Sequence, residues 1–301
     1  MSDDGALPLE GMPTRLWSCT PTKLDTWLSC PRRFRFNYLD RKPKGQPWAH
    51  NSVGSSVHNA LRDWWLLPVE RRTPGSATDL VTKNFLTDGF RDDTQIREWR
   101  ERAAAMTSAY VVHLDPDDEP AGVERTVSTT THGMALSGRV DRIDRRASED
   151  GGDEVVIVDY KTGRRPLTDD DARSSLALAV YVVAASRTLR RRSRRVELHH
   201  LPTESVAAHE HTPESLERHM TRAGEIAGEA SAAEAVWKQR LAPRAEDAAA
   251  GDADAAEAID AHFPPSPGPS CSWCDYRRWC PSGRDASAEI TPWSGLADSD
   301  N

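Results

Sequence analysis

The sequence of 301 residues has no long apolar segment and no nucleotide-binding loop. No run approaches the ~18 apolar residues that a membrane-spanning helix needs. The acidic N-terminus lacks the basic start and apolar stretch of a signal peptide. A Walker-type glycine-rich loop is also missing, so we expect any helicase partner to be a separate chain. These absences argue against a membrane or secreted protein and favour a cytoplasmic one.

Basic residues are missing from three acidic stretches, which determine the net charge of −8. Residues 1–10, 246–260 and 285–301 contain 13 Asp and Glu side chains and no Lys or Arg. The rest of the chain has 39 basic and 34 acidic residues, a net charge of +5. Acidic tails and a linker thus hide a mildly basic body, and nucleic acid is not excluded as a partner.

Local patterns predict an α/β chain that begins with helices. Thr20 and Pro21 are typical of a helix start, and Pro31 interrupts that helix before a second short one. Alternating residues from Val123 onward predict a hairpin with its turn at His132 and Gly133. Further patterns predict a buried strand from residue 154, a helix over about 171–190, a strand from 196 and a helix over 213–240.

Two acids end neighbouring predicted strands: Asp141 in GRVDRID and Asp159 in VDYKTG. If the strands pair, both carboxylates can converge on a hard cation such as Mg²⁺, which takes oxygen ligands. Lys161 follows Asp159 by two residues and so projects from the same strand face. Its ammonium group could position a water and stabilise charge on a phosphate. The alternative is a pair of ordinary strand acids held by neighbouring basic residues.

These motifs resemble those of the PD-(D/E)xK nucleases, specifically the RecB-type exonuclease branch. GRVDRID and VIVDYKTG resemble the family core, GSSVHNAL its upstream histidine motif, and TPTKLDTWLSCPRRFRFNYL its N-terminal motif. The motifs follow the family order over most of residues 18–284. The resemblance implies a restriction-endonuclease-like α/β core, with a central mixed sheet flanked by helices, helical N-terminal additions and a C-terminal cysteine-cluster segment.

The resemblance also implies roles for the site residues. It implies that Mg²⁺ or Mn²⁺ binds to His58, Asp141, Asp159 and the carbonyl of Tyr160. Lys161 would orient the attacking water, and Tyr181 would belong to the catalytic set. Without the resemblance, a histidine beside a packed helix face is the simpler interpretation of His58.

Two positions near these motifs leave questions open. The family commonly has Gln four residues before the tyrosine, where this chain has Ala177. This departure keeps open a catalytically weak DNA-binding or scaffold relative. Glu124 matches an acid often found on the first hairpin strand of the family, but a solvated strand charge explains it equally well.

Three of the five cysteines, Cys271, Cys274 and Cys280, follow the pattern C-x2-C-x5-C, and Cys30 lies far upstream. Four thiolates can bind zinc or a [4Fe–4S] cluster; spacing alone does not choose between them, and zinc is the more general expectation. The nuclease branch includes members with one cysteine before the core and three after it, which hold a [4Fe–4S] cluster. The resemblance therefore implies that cluster, with Zn²⁺ as the less favoured occupant. Cys19 has no place in the pattern.

The predicted domain organisation follows from these segments. It comprises a disordered acidic N-terminus (1–17), a nuclease domain (18–240) with a helical insertion at about 60–115, an acidic Ala/Pro-rich linker (241–269), a cysteine-cluster segment that packs on the N-terminal helices (270–284) and a polar tail (285–301).

The predicted function is metal-dependent hydrolysis of DNA, exonucleolytic on single-stranded ends, in recombination or repair. Basic runs near Arg33 and Arg164 could bind phosphates, and Trp48, Trp64, Trp65 and Trp99 are candidates for base stacking, although such tryptophans are more often core residues. An RNA-directed nuclease is the other alternative.

Overall fold

A computed structural model describes residues 16–147, 151–241 and 259–296 of the chain. The predicted tails and linker fall partly outside these ranges. The strands are β1 (Trp17–Cys19), β2 (Gly122–Thr131), β3 (Met134–Ala147), β4 (Asp153–Lys161), β5 (Arg192–His200) and β6 (Ser205–Glu210). The α-helices are α1 (Pro21–Ser29), α2 (Pro31–Phe34), α3 (Ala49–Trp65), α4 (Pro74–Lys83), α5 (Asp93–Val111), α6 (Asp169–Ser174), α7 (Leu176–Leu189), α8 (Pro213–Leu241) and α9 (Pro281–Ala286).

The strands form one mixed sheet around β3. Strand β3 pairs with antiparallel β2 along one edge. Along its other edge it pairs in parallel with β1 near its start and antiparallel with β4 near its end. Strand β4 pairs in parallel with β5, which pairs antiparallel with β6. The predicted α/β fold with a central mixed sheet flanked by helices is therefore confirmed.

The β2–β3 hairpin turns at the two residues that the sequence predicts. His132 and Gly133 both have positive φ angles, 47° and 72°. A two-residue turn with this geometry matches the natural twist of antiparallel strands and fixes their register. The register runs from Thr131↔Met134 to Gly122↔Ile143. The turn thereby determines which residues of β2 lie opposite the acid of GRVDRID.

Helices cover both faces of β4, so this strand is apolar on each side. Val156, Val158 and Tyr160 pack in the cluster that α3, α4 and α5 form on one face. Val155 and Ile157, which point the other way, pack with α7. A strand buried on both faces reads as a continuous apolar run, which is how EVVIVDY appears in the sequence. Among the described helices, none is both long enough and apolar enough to cross a membrane.

The predicted helix at 171–190 is instead two helices, α6 and α7. Ser175 separates them with an extended backbone, φ −68° and ψ 108°. Its hydroxyl accepts a hydrogen bond from the backbone N–H of Leu178 at 3.3 Å and so caps α7. The prediction was wrong here because a serine that directly precedes an apolar run can either continue a helix or cap the start of a new one.

The cysteine-bearing end of the chain packs on the N-terminal helices. Phe263 is fully buried, with its ring 5.9 Å from that of Trp27. Arg32 donates through Nε to the carbonyl of Phe263 at 2.8 Å, and Arg32 and Arg35 both pair with Asp260. Residues 259–269, which belong to the predicted linker, thus pack closely against α1 and α2.

Candidate functional site

The sheet opens at the two acids of the nuclease-like motifs. Pairing between β3 and β4 ends at Arg142↔Val158, and the next residues along the two strands are Asp141 and Asp159. In place of a strand pair, Oδ2 of Asp141 accepts a hydrogen bond from the backbone N–H of Tyr160 at 2.8 Å. The strands therefore part where the acids lie, and Asp141 lines an open cleft of about 1580 Å³, named here the catalytic cleft.

Helix α3 brings His58 to the same point. A Cβ atom on Gly54 would lie 3.2 Å from Oγ1 of Thr162, so the glycine lets the helix approach the end of β4 closely. One turn further, Nδ1 of His58 lies 3.4 Å from Oδ1 of Asp141. The other ring nitrogen, Nε2, lies 3.2 Å from the carbonyl oxygen of Tyr160. The histidine thus joins the two strands across the opening.

Glu124 completes a group of three side chains whose ligand atoms are close enough to hold a metal ion. It lies opposite Asp141 in the β2–β3 register, between the pairs Val123↔Arg142 and Arg125↔Val140. Its φ angle of 47° is left-handed, a conformation that non-glycine residues adopt chiefly where the surroundings impose it, often at functional sites. Ligand atoms of His58, Glu124 and Asp141 all lie within 4.8 Å of one another.

Asp159 and Lys161 form an ion pair beside this group. Nζ of Lys161 lies 2.6 Å from Oδ2 of Asp159, which is buried. Of the predicted metal ligands, His58 and Asp141 are gathered with Glu124, whereas the carboxylate of Asp159 faces the lysine. The carbonyl of Tyr160 lies next to the group, at the His58 ring.

Burial and the nearby charge of Asp141 raise the pKa values of two carboxyl groups, those of Glu124 and Asp159. Burial, followed by the charge of Asp141, raises the pKa of Glu124. Burial raises the pKa of Asp159, Lys161 opposes that shift, and Asp141 adds to it. Burial alone would lower the pKa of His58, but its hydrogen bond to Asp141 and the nearby acids raise it overall. A divalent cation would relieve this excess of negative charge.

Tyr181 lies across the catalytic cleft from His58. Its ring covers Gly138, where a Cβ atom would lie only 2.5 Å from Cε1 of the tyrosine. Burial and the charges of Asp159 and Asp141 raise the pKa of Tyr181 to about 12, which keeps its hydroxyl protonated. Sequence reasoning missed His50, Asn51 and Thr162, which also line the cleft. The only sequence signal for these residues was indirect: Gly54 and Gly163 lie close to them in the sequence.

The four cysteines of the predicted cluster line one cavity. Sγ of Cys30 accepts from the backbone N–H groups of Arg33 and Ser266, at 3.4 Å each. At Gly283, a Cβ atom would lie 3.5 Å from Sγ of Cys280 and 3.6 Å from Sγ of Cys271. No side chain therefore separates these thiols. In the described ranges, no three cysteine sulfurs come within 4.8 Å of one another.

Some of the candidate stacking and phosphate-binding residues are buried in the core, and others line a groove. Trp64 and Trp65 are buried core residues, at 1% and 5% exposure, so the stacking role considered for them is wrong. Trp48 and Trp99 line a groove next to the catalytic cleft. Arg33 and Arg164 line that groove as well, whereas Arg165 pairs with Asp171.

Comparisons were made with family models, with solved structures and with curated proteins. The family model of the PD-(D/E)XK nuclease superfamily matches residues 18–281. A crystal structure of a provisionally named exonuclease from Eubacterium rectale is similar at 10% sequence identity and a TM-score of 0.41; the match covers 68% of this chain and 77% of that one. A search of curated proteins finds no match.

Proposed function

The chain belongs to the PD-(D/E)XK nuclease superfamily, and on that basis we propose that it is a metal-dependent deoxyribonuclease that degrades DNA from single-stranded ends. The observation that carries this proposal is the gathering of His58, Glu124 and Asp141 beside the Lys161–Asp159 pair. We assign the activity to recombination or repair in the cytoplasm, where a separate helicase chain would expose the single strands.

The residues of the site fit a divalent cation. His58, Glu124 and Asp141 would hold it, with Asp159 and the Tyr160 carbonyl adjoining. Mg²⁺ or Mn²⁺ supplies a Lewis acid that polarises the phosphate and lowers the pKa of a bound water. Because one of the three ligands is an imidazole nitrogen, which Mg²⁺ takes less readily than oxygen, Mn²⁺ suits this site better.

The remaining chemistry belongs to the side chains themselves. The backbone N–H of Tyr160 fixes Asp141, so that a ligand carboxylate is held in place before any substrate arrives. Lys161 presents an ammonium group at the same strand end, where it would orient the attacking water and offset the charge that develops on the phosphate. The protonated hydroxyl of Tyr181 faces the cleft as a hydrogen-bond donor.

We expect single-stranded DNA with a labelled end to be digested with Mn²⁺, more slowly with Mg²⁺, and not at all with a chelator. Linear and covalently closed single strands of the same sequence separate attack at ends from internal cleavage, and an RNA of that sequence tests the substrate class. Digestion that persists in chelator contradicts the metal requirement. DNA binding without digestion in either metal identifies the scaffold alternative that Ala177 keeps open.

We further propose that Cys30, Cys271, Cys274 and Cys280 bind a [4Fe–4S] cluster. A tetrahedral zinc ion with Zn–S bonds of about 2.3 Å would draw the four sulfurs to roughly 4 Å of one another. A four-iron cube holds each thiolate on a different iron and so tolerates wider spacing. The four cysteines line one cavity, which supports a common site for them, and the family resemblance favours the cube over zinc.

Protein purified without oxygen is expected to be brown, with broad absorbance near ~400 nm and about four irons per chain. Replacing Cys274 by serine should remove the colour and the iron. Cys19→Ala is the matched control, because burial raises the pKa of that thiol to about 11 and it lies outside the cavity. Colourless protein with one zinc per chain would overturn the cluster assignment.

A further inference from the structure

A second depression continues from the catalytic cleft toward the cysteine segment. Residues His50, Asn51, Thr162 and Gly163 line both, so the two spaces share a wall. We name this second depression the aromatic groove and define it by Trp48, Trp99, Trp273, Arg33 and Arg164. If a phosphate of a DNA strand lies at His58, Glu124 and Asp141, the nucleotides on one side of that phosphate would enter the aromatic groove.

Aromatic rings form one end of the aromatic groove. The ring of Trp273 lies 5.2 Å from that of Trp48, at an interplanar angle of 56°, and 5.4 Å from that of His50. Trp48 is held by a hydrogen bond from Nε1 to Oδ1 of Asp275 at 2.9 Å. Trp273 remains 40% exposed, an unusual exposure for a tryptophan that packs against other rings. Its free surface is available to a planar ligand.

Cationic side chains lie near these rings. Arg33 and Arg164 line the aromatic groove, and neither makes an ion pair with a carboxylate in the described part of the chain. Asp275, the acidic residue that lines the aromatic groove, accepts a hydrogen bond from Trp48, and its carboxylate lies 4.0 Å from Nζ of Lys44. Unpaired guanidinium groups beside exposed aromatic rings are the combination that binds the backbone and the bases of single strands.

We infer that the aromatic groove is a subsite for unpaired bases of the strand that is cut, with Trp273 as the stacking surface. This inference rests on the proposed function and makes it more specific. Bases in a duplex are stacked on one another and offer no free face to a tryptophan. The subsite therefore selects single-stranded DNA and binds one or two nucleotides next to the scissile phosphate.

The cysteine segment determines where the stacking ring lies. Trp273 sits between Cys271 and Cys274 in a short 3₁₀ turn, Pro269–Trp273. Arg33 lines both the aromatic groove and the cavity of the cysteines. A metal group bound to the cysteines would hold Trp273 and Arg33 in position, so the cysteine site contributes to DNA binding without taking part in the chemistry.

The test compares Trp273→Ala with Trp279→Ala, in proteins that also carry Lys161→Ala so that the DNA stays intact. Both tryptophans are 40% exposed and lie beside cluster cysteines, but Trp279 lies outside the aromatic groove and donates to the carbonyl of Pro43. Binding is measured by fluorescence anisotropy with short labelled single strands, in Mn²⁺. Loss of one stacked base should weaken binding at least about 5-fold for Trp273→Ala and leave Trp279→Ala unchanged. Trp273→Phe should restore part of the affinity.

A set of single strands that each lack one base locates the subsite. Removal of the base at one or two positions should weaken binding to the parent protein and have no further effect on Trp273→Ala. Equal affinity of the two tryptophan variants, or no position-dependent loss, overturns the inference. Digestion by the otherwise unaltered protein, measured in parallel, reports separately on the proposed function. Iron content and melting temperature verify that both variants fold.

Discussion

Replacing Lys161 with alanine is expected to slow DNA hydrolysis by about 100- to 1,000-fold, the effect of removing one preorganised charge-stabilising donor from an active site. The substitution removes the ammonium group 2.6 Å from Asp159 and leaves a buried carboxylate without its counter-charge. The measurement is the single-turnover rate on end-labelled single-stranded DNA in Mn²⁺. DNA affinity should change much less than the rate, because the lysine is one charge among several that face the strand.

Lys83→Ala is the matched control for that experiment. Lys83 is an exposed residue of the last turn of α4, away from the catalytic cleft, and its loss should leave the rate unchanged. Equal rates for the Lys161 variant and the unaltered protein would refute the catalytic role of the lysine. A rate that falls together with DNA affinity would make Lys161 a binding residue instead.

Arg142→Ala is expected to lower the free energy of unfolding by about 2–3 kcal/mol, the cost of leaving buried hydrogen-bond acceptors without their donor. The arginine is 3% exposed. Its guanidinium lies 2.8–2.9 Å from the carboxylate of Asp144 and donates to the hydroxyl groups of Tyr110 and Tyr160 at 3.2 Å each. Without it, these acceptors lose their donor in a site that water reaches poorly.

Denaturant unfolding measures this loss, with Arg173→Ala as the surface control. Arg173 pairs with Asp170 on α6, where both side chains are largely exposed, and such pairs contribute at most ~1 kcal/mol. The double variant Arg142→Leu/Asp144→Leu should regain part of the stability, because it also removes the stranded carboxylate. A loss for Arg142→Ala no larger than that of the control would contradict the buried network. Hydrolysis should fall as well, since Tyr160 positions Asp141.

The central sheet could be predicted from the sequence because its strands are locally encoded. The alternation after Val123, the turn at His132 and the apolar run before Asp159 each need only their own neighbours. Strand β1 has three residues and pairs with β3 more than a hundred positions away. Such a segment has no periodicity of its own, and only the tertiary structure defines it.

The candidate site likewise has residues that local sequence could place and residues that only the tertiary structure brings together. Asp141, Asp159 and Lys161 occur within one pair of strands, so spacing was enough to predict that they lie at one strand end. The pairing of Asp159 with Lys161, apart from the group of His58, Glu124 and Asp141, could not be predicted in this way. Glu124 could not be assigned from its own segment, because its position opposite Asp141 depends on the hairpin register. The aromatic groove was missed because Trp273 meets Trp48 and His50 only after the two ends of the chain pack together.

The packing of residues 263–266, just before the cysteine segment, on the first helices has a consequence for how the protein is made. Ser266 donates to Cys30 across 236 positions, and Arg32 contacts Phe263 across 231. These contacts on the N-terminal helices therefore can form only after residues 263–266 have been synthesised, and contacts this distant in sequence form slowly. The same dependence delays completion of the aromatic groove. A nascent chain that ends before residue 273 thus carries the catalytic acids and lysine without the stacking surface proposed for single-stranded DNA.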